Sequence, residues 1–186
     1  MADDFKSLKG QLLLDGGKLH GSWFHRTVVL VCQHDEDGAF GLVLNKPSPA
    51  KIGEALVAEL PDVLKEESLY VGGPVQSTAL SFLRTDSFIP DANVIPGLNL
   101  DHSLDELVEC AESFSPAQQI RVFAGYAGWA PGQLDDEMKR DAWLVHPASI
   151  DHVFNAGSND LWSEILKSKG WKFRLLADAP EDISWN

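Results

Sequence analysis

The sequence predicts an α+β fold. The order of its strand-like and helix-like segments and its apolar content indicate this class. Segments with strand periodicity and segments with helical periodicity follow one another without the regular alternation of a doubly wound sheet. No repeat, linker or low-complexity tract interrupts the 186 residues, and 44% of them are apolar, as is typical of a globular chain. We therefore expect residues 10–186 to form a single compact domain after a flexible tail over residues 1–9.

The chain opens with strands. Residues 11–14 form a first apolar run, and residues 15–25 have the composition of a Gly-rich loop. Residues 27–32 and 39–44 are rich in β-branched and aliphatic side chains and flank an acidic turn at residues 35–38, so they predict a hairpin. Because these runs lack polar alternation, we expect both of their faces to be buried and the hairpin to lie centrally in a covered sheet.

A helix and two short strands should follow the hairpin. The segment Asn45-Lys-Pro47 stops the second hairpin strand, because proline cannot donate a hydrogen bond to a ladder. Residues 50–60 have helical spacing, and Pro61 ends that helix. Strands are then predicted at residues 69–71 and 79–84.

The clearest helix signal begins at Ser103. Glu106 stands three residues after this serine and completes a capping box, and Leu107 belongs to an apolar stripe on one helical face. The helix should end near Phe114, since Pro116 cannot continue it. The patterns of the C-terminal part predict strands at residues 120–124, 142–145 and 171–177, and helices at residues 134–140, 147–154 and 160–169.

Two glycine-rich segments are candidates for ligand contact. Residues 125–134 leave a buried strand, turn through glycines and open a helix, a layout in which free amide groups could hold an anion. The glycine spacing fits neither a dinucleotide fingerprint nor a phosphate loop, so close packing of Tyr126 and Trp129 is the alternative. Gly72 and Gly73 permit a close backbone approach, for which packing against a neighbouring strand is the preferred explanation.

Charge and composition narrow the possible partners. The net charge of -13, from 28 acidic against 15 basic residues, repels phosphate backbones and anionic lipid surfaces. Direct nucleic-acid and membrane binding are therefore disfavoured. The N-terminus lacks the pattern of a secretory signal and no segment is long and apolar enough to span a bilayer, so we expect a cytoplasmic protein. Cys32 and Cys110 make no paired motif and should be reduced and inert.

Neither a metal nor a cofactor is expected. Cys32 and His34 share one face of a strand, with Asp35 and Asp37 close behind. However, the remaining histidines supply no second pair to complete a tetrahedral zinc site. The acidic turn also lacks the final glutamate of a calcium loop, because Lys46 stands at that position.

No catalytic residue is specified by a motif. His34 should lie hydrogen-bonded at a strand end, although a histidine beside acids could also transfer protons. Asp135, Asp136 and Glu137 fall in the first turn of a predicted helix, where they suit the helix dipole. We prefer that explanation to paired-carboxylate catalysis.

Several motifs together resemble those of the YqgE/AlgH family over nearly the whole chain. They are Gly10-Gln-Leu-Leu-Leu14, Arg26-Thr27, Cys32-Gln-His34, Gly38-Ala-Phe-Gly41, Asn45-Lys-Pro47, Gly72-Gly-Pro74, Gly125-Tyr-Ala-Gly-Trp129, Pro131-Gly-Gln-Leu134, Glu137, Ala142-Trp143 and Asp160-Leu-Trp162. The resemblance implies an α+β domain whose branched, mostly antiparallel sheet curls into a pseudo-barrel flanked by helices. It implies no catalytic role, because the family has no established activity. Its members have been described as transcriptional regulators on genetic grounds.

The polar and glycine positions that match the family are the candidate ligand-binding residues. They are Arg26, His34, Asn45, Lys46, Gly72, Gly73, Tyr126, Trp129, Gln133 and Glu137. The preferred hypothesis is a cytoplasmic binding or regulatory protein that acts through a protein partner or a small anionic ligand. The ligand would be held where the turn at residues 45–46 meets residues 126–133.

Two other functions stay open. A cofactor-independent enzyme would use His34 or Glu137 for proton transfer, with Arg26 or Lys46 holding an anionic substrate. A DNA-binding regulator is the third possibility, and the net charge and the lack of a helix-turn-helix pattern argue against it.

Overall fold

A computed structural model describes residues 5–85, 93–113, 118–154 and 160–181. The strands are β1 (Gln11–Asp15), β2 (Val28–Asp35), β3 (Gly38–Val43), β4 (Pro47–Lys51), β5 (Ser68–Val71), β6 (Val75–Thr85), β7 (Leu98–Asp101), β8 (Ile120–Trp129) and β9 (Trp143–Pro147). The helices are α1 (Ile52–Ala55), α2 (Asp62–Lys65), α3 (Leu104–Glu112), α4 (Gln133–Lys139), α5 (Ile150–Phe154), α6 (Leu161–Ser168) and α7 (Trp171–Ala177). No helix of the described ranges is both long and apolar enough to cross a membrane.

The strands form one branched sheet that does not close. Its main path runs β4-β5-β8-β3-β2-β1-β9, and β6 pairs with β8 off this path and carries β7 at its other edge. The β5–β8 pair is parallel, and the other described strand pairs are antiparallel. The predicted α+β class is therefore confirmed, with a branched and mostly antiparallel sheet.

The β2–β3 hairpin lies in the middle of the sheet, as its sequence predicts. Its register joins Val29 to Val43 and Asp35 to Gly38, with a bulge between Val31 and Gln33. β1 covers one side of the hairpin and β8 the other. Both edges of the hairpin are thus paired, which suits strands without polar alternation.

Hydrophobic clusters bury both faces of this central sheet. Leu12, Leu30 and Phe123 belong to the cluster on one face, which α5, α6 and α7 cover. Leu13 and Val29, their neighbours in sequence, belong to the cluster on the opposite face, together with side chains of α4 and of the loop between β1 and β2. This alternation confirms that consecutive residues of the hairpin are buried on both sides.

The third cluster joins the short helices to the branch of the sheet. It contains Ile52 of α1, Leu64 of α2 and Leu107 of α3, packed against Phe82 and Val122 of the strands. α3 begins as predicted, because the Ser103 side chain accepts a hydrogen bond from the backbone N–H of Glu106 at 3.4 Å. The predicted end of this helix near Phe114 lies outside the described residues.

The helix predicted at residues 50–60 is wrong in most of its length. β3 ends at Val43, ahead of the predicted Asn45–Pro47 stop, and Pro47 itself opens β4, an edge strand in which it lies opposite Tyr70 of β5. Only Ile52–Ala55 is helical, and Val57 is fully exposed. The buried apolar residues of this stretch are Ile52 and Leu60, which anchor its two ends in the core and do not form a continuous helical face.

The strand predicted at residues 171–177 is also wrong, because this segment is helix α7. Its aromatic residues alternate with polar ones as in a strand. In the structure Phe173 and Leu176 pack on the core while Ala177 is buried, which is a helical spacing. Trp171 and Leu175, four positions apart, remain exposed on the other side.

The strand predicted at residues 120–124 continues to Trp129 as β8, so the glycine-rich segment starts within the sheet. Gly125 has a φ of 72°, a conformation that L side chains rarely adopt. It lies where β8 changes from pairing with β5, up to Ala124, to pairing with β3, from Ala127 onward, while β6 still pairs with Tyr126. The predicted helix after Pro131 is confirmed as α4, and the one predicted at residues 147–154 is shortened to α5, because Pro147 belongs to β9.

Candidate functional site

Asn45 and Arg26 meet at the entrance of the hairpin. The Asn45 side chain accepts a hydrogen bond from the Val28 amide and donates one to the Arg26 carbonyl, both at 2.9 Å. Arg26 has a φ of 54° and donates from its guanidinium to the Ala179 carbonyl. Its guanidinium carbon lies 5.0 Å from the centroid of the Trp162 ring. Asn45 thus holds the two strands of the hairpin together at its entrance, and Arg26 fastens this entrance to the C-terminal part of the chain.

Lys46 points to the loop between β1 and β2. Its Nζ atom donates to the Trp23 carbonyl at 2.6 Å and lies 3.7 Å from the centroid of the Trp23 ring. Partial burial lowers the pKa of this ammonium group. The lysine ammonium group is therefore engaged within the protein, in a cation–π contact and a hydrogen bond to a backbone carbonyl.

His34 lies at the other end of the hairpin and is 6% exposed. Its Nδ1 atom accepts a hydrogen bond from the Leu8 amide at 3.0 Å, and its carbonyl accepts one from the Ser7 hydroxyl at 2.7 Å. Its Nε2 atom is 3.8 Å from the Asp135 carboxylate. The predicted position, hydrogen-bonded at a strand end, is confirmed.

Gly72 and Gly73 pack directly against the backbone of β8. A Cβ atom on Gly72 would lie 2.3 Å from the Gly125 carbonyl oxygen, and one on Gly73 would lie 1.9 Å from the Tyr126 carbonyl carbon. The Tyr126 ring stacks on Phe40, with 4.9 Å between the ring centroids. Close strand packing, the explanation preferred from the sequence, accounts for both glycines.

Trp129, Gln133 and Glu137 form a hydrogen-bonded cluster with Trp143. One Glu137 oxygen accepts from the Trp129 and Trp143 indole N–H groups at 2.9 and 2.8 Å, and the other accepts from the Gln133 amide at 3.0 Å. The cluster joins α4 to β8 and β9. Glu137 lies beyond the acidic first turn of α4, which holds Asp135 and Asp136, so its role is to bind the indoles and not to compensate the helix dipole.

The ten predicted residues do not meet in one place. Trp129 pairs with Ala39 at the start of β3, whereas Asn45 follows the end of that strand. Aromatic contacts connect the two regions, from Trp23 beside Lys46 across Phe24 to Trp143. A cavity of about 320 Å³ lies beside Trp129, Gln133 and Glu137, and the lining residues include neither Asn45 nor Lys46.

A second cavity, of about 360 Å³, lies on the branch of the sheet, and none of the ten predicted residues is among those that line it. We call it the Arg121 cavity. Its apolar lining comes from α1 and α2, α3, β8 and α5: Ile52, Pro61, Val63, Leu64, Ala111, Ile120 and Phe154. Its polar lining consists of Glu67, Ser68, Tyr70, Gln118, Gln119 and Arg121. Its size lies within the range of small-molecule sites.

Arg121 is held rigidly at the wall of this cavity. Its guanidinium carbon is 4.2 Å from the centroid of the Tyr70 ring, and its Nη2 atom donates to the Phe154 carbonyl at 3.0 Å. Its Nη1 atom is buried without a hydrogen-bond partner among the described residues. Burial lowers the pKa of this guanidinium, while the charges of Tyr70 and Glu67 oppose that shift.

Arg121 belongs to none of the glycine and histidine motifs of the sequence. One signal was present: a single cation in the otherwise apolar run 120–124, at a position that strand alternation places on one defined face. Its partner Tyr70 lies on β5, and the parallel β5–β8 pairing that brings the two together has no local sequence signature.

Fold and cavity define a single-domain α+β protein with an open, branched sheet and a small-molecule-sized cavity beside a half-buried arginine. The chain belongs to the AlgH-like family, whose model matches residues 12–174. The resemblance found in the motifs is thereby confirmed.

Relatives and solved structures match nearly the full chain. UPF0301 proteins of Chlorobaculum parvum and Chlorobium phaeobacteroides are 38% and 36% identical, with 97% of this chain and 97% of each relative covered. The solution structure of the AlgH protein from Pseudomonas aeruginosa has a TM-score of 0.74 at 27% identity and covers 95% of this chain and 97% of its own. A crystal structure from Corynebacterium diphtheriae also gives 0.74, at 24% identity over 94% of each chain, and supports the fold alone.

Proposed function

We propose that this protein is a cytoplasmic binding and regulatory module that holds a small anionic ligand in the Arg121 cavity. One observation carries the proposal: a guanidinium that lines a cavity has no ion-pair partner among the described residues and keeps an unpartnered, buried Nη1 atom. A buried charge is costly unless it is paired, and an anionic ligand would supply the missing partner. Any effect on transcription would then be indirect, through a protein partner that senses the occupied state.

The enzyme alternative has less support. Of its proposed proton-transfer groups, Glu137 already accepts three hydrogen bonds. Of its proposed anion-holding groups, Arg26 and Lys46 each donate to a backbone carbonyl. Both cations therefore serve contacts within the protein and are less suited to hold a substrate.

Calorimetric titration with 4-methylpentanoate tests the proposal. This probe combines one carboxylate with a branched apolar body of the cavity's character. We expect saturable binding to the wild type and a loss of at least about tenfold in affinity for Arg121→Gln, since a charged hydrogen-bonding partner is removed. The matched control is Lys172→Gln, which removes an exposed positive charge on α7, outside the cavity, and should bind like the wild type.

A second variant tests the location without changing any charge. Val63 lines the cavity and is 70% exposed, so Val63→Trp can obstruct the cavity without disturbing the core. We expect this variant to weaken binding as well. Equal affinity of all four proteins, or no binding to the wild type, would overturn the proposal.

A further inference from the structure

We infer that the ligand of the Arg121 cavity is a zwitterionic α-amino acid with an apolar side chain, whose carboxylate pairs with Arg121 and whose ammonium group pairs with Glu67. The inference rests on the proposed function and names its ligand class. It follows from the two charged side chains that line the cavity, Arg121 and Glu67, and from the lack of a second cation among the described lining residues.

The cavity holds one positive and one negative side chain that do not meet. Arg121 and Glu67 both line it, yet they form no ion pair with each other. They are close enough for the Glu67 charge to act on the guanidinium. A ligand that carries a carboxylate and an ammonium group a short distance apart would pair the carboxylate with Arg121 and the ammonium group with Glu67.

The charge count argues against a phosphate or a dicarboxylate. Arg121 is the single cation among the described lining residues, and the Glu67 carboxylate would repel a second negative charge. The short helix α2, which borders the cavity, begins with Asp62 and offers no compensating positive group at its start. A dianion would therefore bring more negative charge than the lining can neutralise.

The apolar lining specifies the rest of the ligand. Ile52, Leu64 and Ala111 are buried side chains of the third hydrophobic cluster and face the same cavity as Arg121. Burial of an aliphatic ligand body against them is favourable in proportion to the area removed from water. The volume of about 360 Å³ lies at the small end of ligand sites and fits an amino acid better than a peptide or a nucleotide.

The decisive comparison is leucine against 4-methylpentanoate, which is leucine without its amino group. We expect leucine to bind the wild type at least about tenfold more tightly, because its ammonium group gains the Glu67 carboxylate. In Glu67→Gln this advantage should vanish, while 4-methylpentanoate keeps its affinity or gains some. Glu66→Gln removes a neighbouring exposed carboxylate outside the cavity lining and should preserve the advantage of leucine.

The outcomes separate this inference from the proposed function. If both compounds bind equally, or if inorganic phosphate binds more tightly than leucine, the amino-acid assignment is wrong and the anion site stands. If the leucine advantage survives in Glu67→Gln, the ammonium partner is misassigned and the inference fails. If neither compound binds, both proposals fall. Circular dichroism in the near-ultraviolet range confirms that each variant keeps its packed core.

Discussion

Glu137 shows how a single residue can resemble a catalytic group and serve the fold. Its carboxylate accepts from two indoles that are only 7% and 4% exposed, those of Trp129 and Trp143. These N–H groups are therefore largely shielded from water and need an acceptor inside the protein. The same argument applies to Asn45, whose amide satisfies a backbone donor and a backbone acceptor at the hairpin entrance.

Replacing Glu137 by alanine should destabilise the protein by about 2–4 kcal/mol, because two indole donors lose a charged acceptor in a buried place. Urea unfolding followed by tryptophan fluorescence measures the effect. Asp136→Ala on the same helix is the control, since this exposed carboxylate forms a surface ion pair with Lys139 and its loss should cost about 0.5 kcal/mol or less. Equal losses in the two variants would show that the indole contacts carry no special weight.

At the scale of elements, the sequence predicted what depends on local pattern. The hairpin, the capped start of α3 and the helix after Pro131 were found because turn residues, a capping box and apolar periodicity act over a few neighbours. The nature of α7 was missed because the alternation of Trp171, Phe173 and Leu175 mimics a strand. The core decided the outcome by burying Ala177 together with Phe173 and Leu176.

The Arg121 cavity has no local sequence pattern. The cavity brings together residues of α1, α2, β5, α3, β8 and α5. No sequence pattern within any one of these segments predicts that they lie side by side. Arg121 and Tyr70 come into contact through a parallel strand pair, which joins segments far apart in the chain. The sequence could mark Arg121 as unusual, but only the topology supplies its neighbours.

The contact between the Gly72–Gly73 segment and β8 predicts a large effect of a single methyl group. In Gly73→Ala the new Cβ would overlap the Tyr126 carbonyl carbon at 1.9 Å, and backbone cannot move aside as a flexible side chain can. We expect a destabilisation of at least about 3 kcal/mol, or loss of soluble protein. Gly16→Ala is the control, since its Cβ meets the Leu144 side chain at 3.2 Å and should cost about 1 kcal/mol or less. A urea midpoint like that of the wild type in Gly73→Ala would contradict the packing argument.

The contact between β9 and α5 predicts a pH dependence. Burial lowers the pKa of His146, as do the positive charges of Lys169 and His152. Burial also lowers the pKa of His152, whose ring lies 5.2 Å from that of His146, and Asp151 opposes this shift. Since the unfolded chain then binds protons more readily than the folded one, the stability contributed by the neutral rings is present above the ordinary histidine pKa and is lost as the pH falls through the lowered values.

The double variant His146→Gln/His152→Gln should therefore lose less unfolding free energy than the wild type between about pH 7.5 and about pH 5. Urea unfolding at a series of pH values measures both slopes. The variant has a different starting stability, because Ser149 loses its 2.9 Å contact with the His152 ring, so the slopes and not the absolute values are compared. Parallel slopes would exclude these rings as the source of acid sensitivity.

At the scale of the whole molecule, charge and local chemistry point in different directions. The protein carries a net charge of -13, so its overall field repels anions. An anion site in such a protein must act at short range. Solvent screens the distant acidic residues of the surface, whereas a cation at a cavity wall is screened much less from a ligand beside it. The Arg121 cavity meets this condition because its cation is half-buried and its ligand would be small.

The same net charge predicts that DNA is not a direct ligand. DNA-binding proteins gain affinity by neutralising phosphates with lysine and arginine, and this term weakens as salt rises. Here the basic residues on and beside α7 are partly committed elsewhere: Lys167 pairs with Asp178 at 3.0 Å, and Lys169 donates to the Val145 carbonyl at 2.7 Å. We expect no sequence-selective complex in a mobility-shift assay at low salt, where electrostatic binding is strongest, with or without leucine present. A tight, selective complex whose affinity falls with added salt would instead identify a direct DNA-binding regulator, and the charge argument would be wrong.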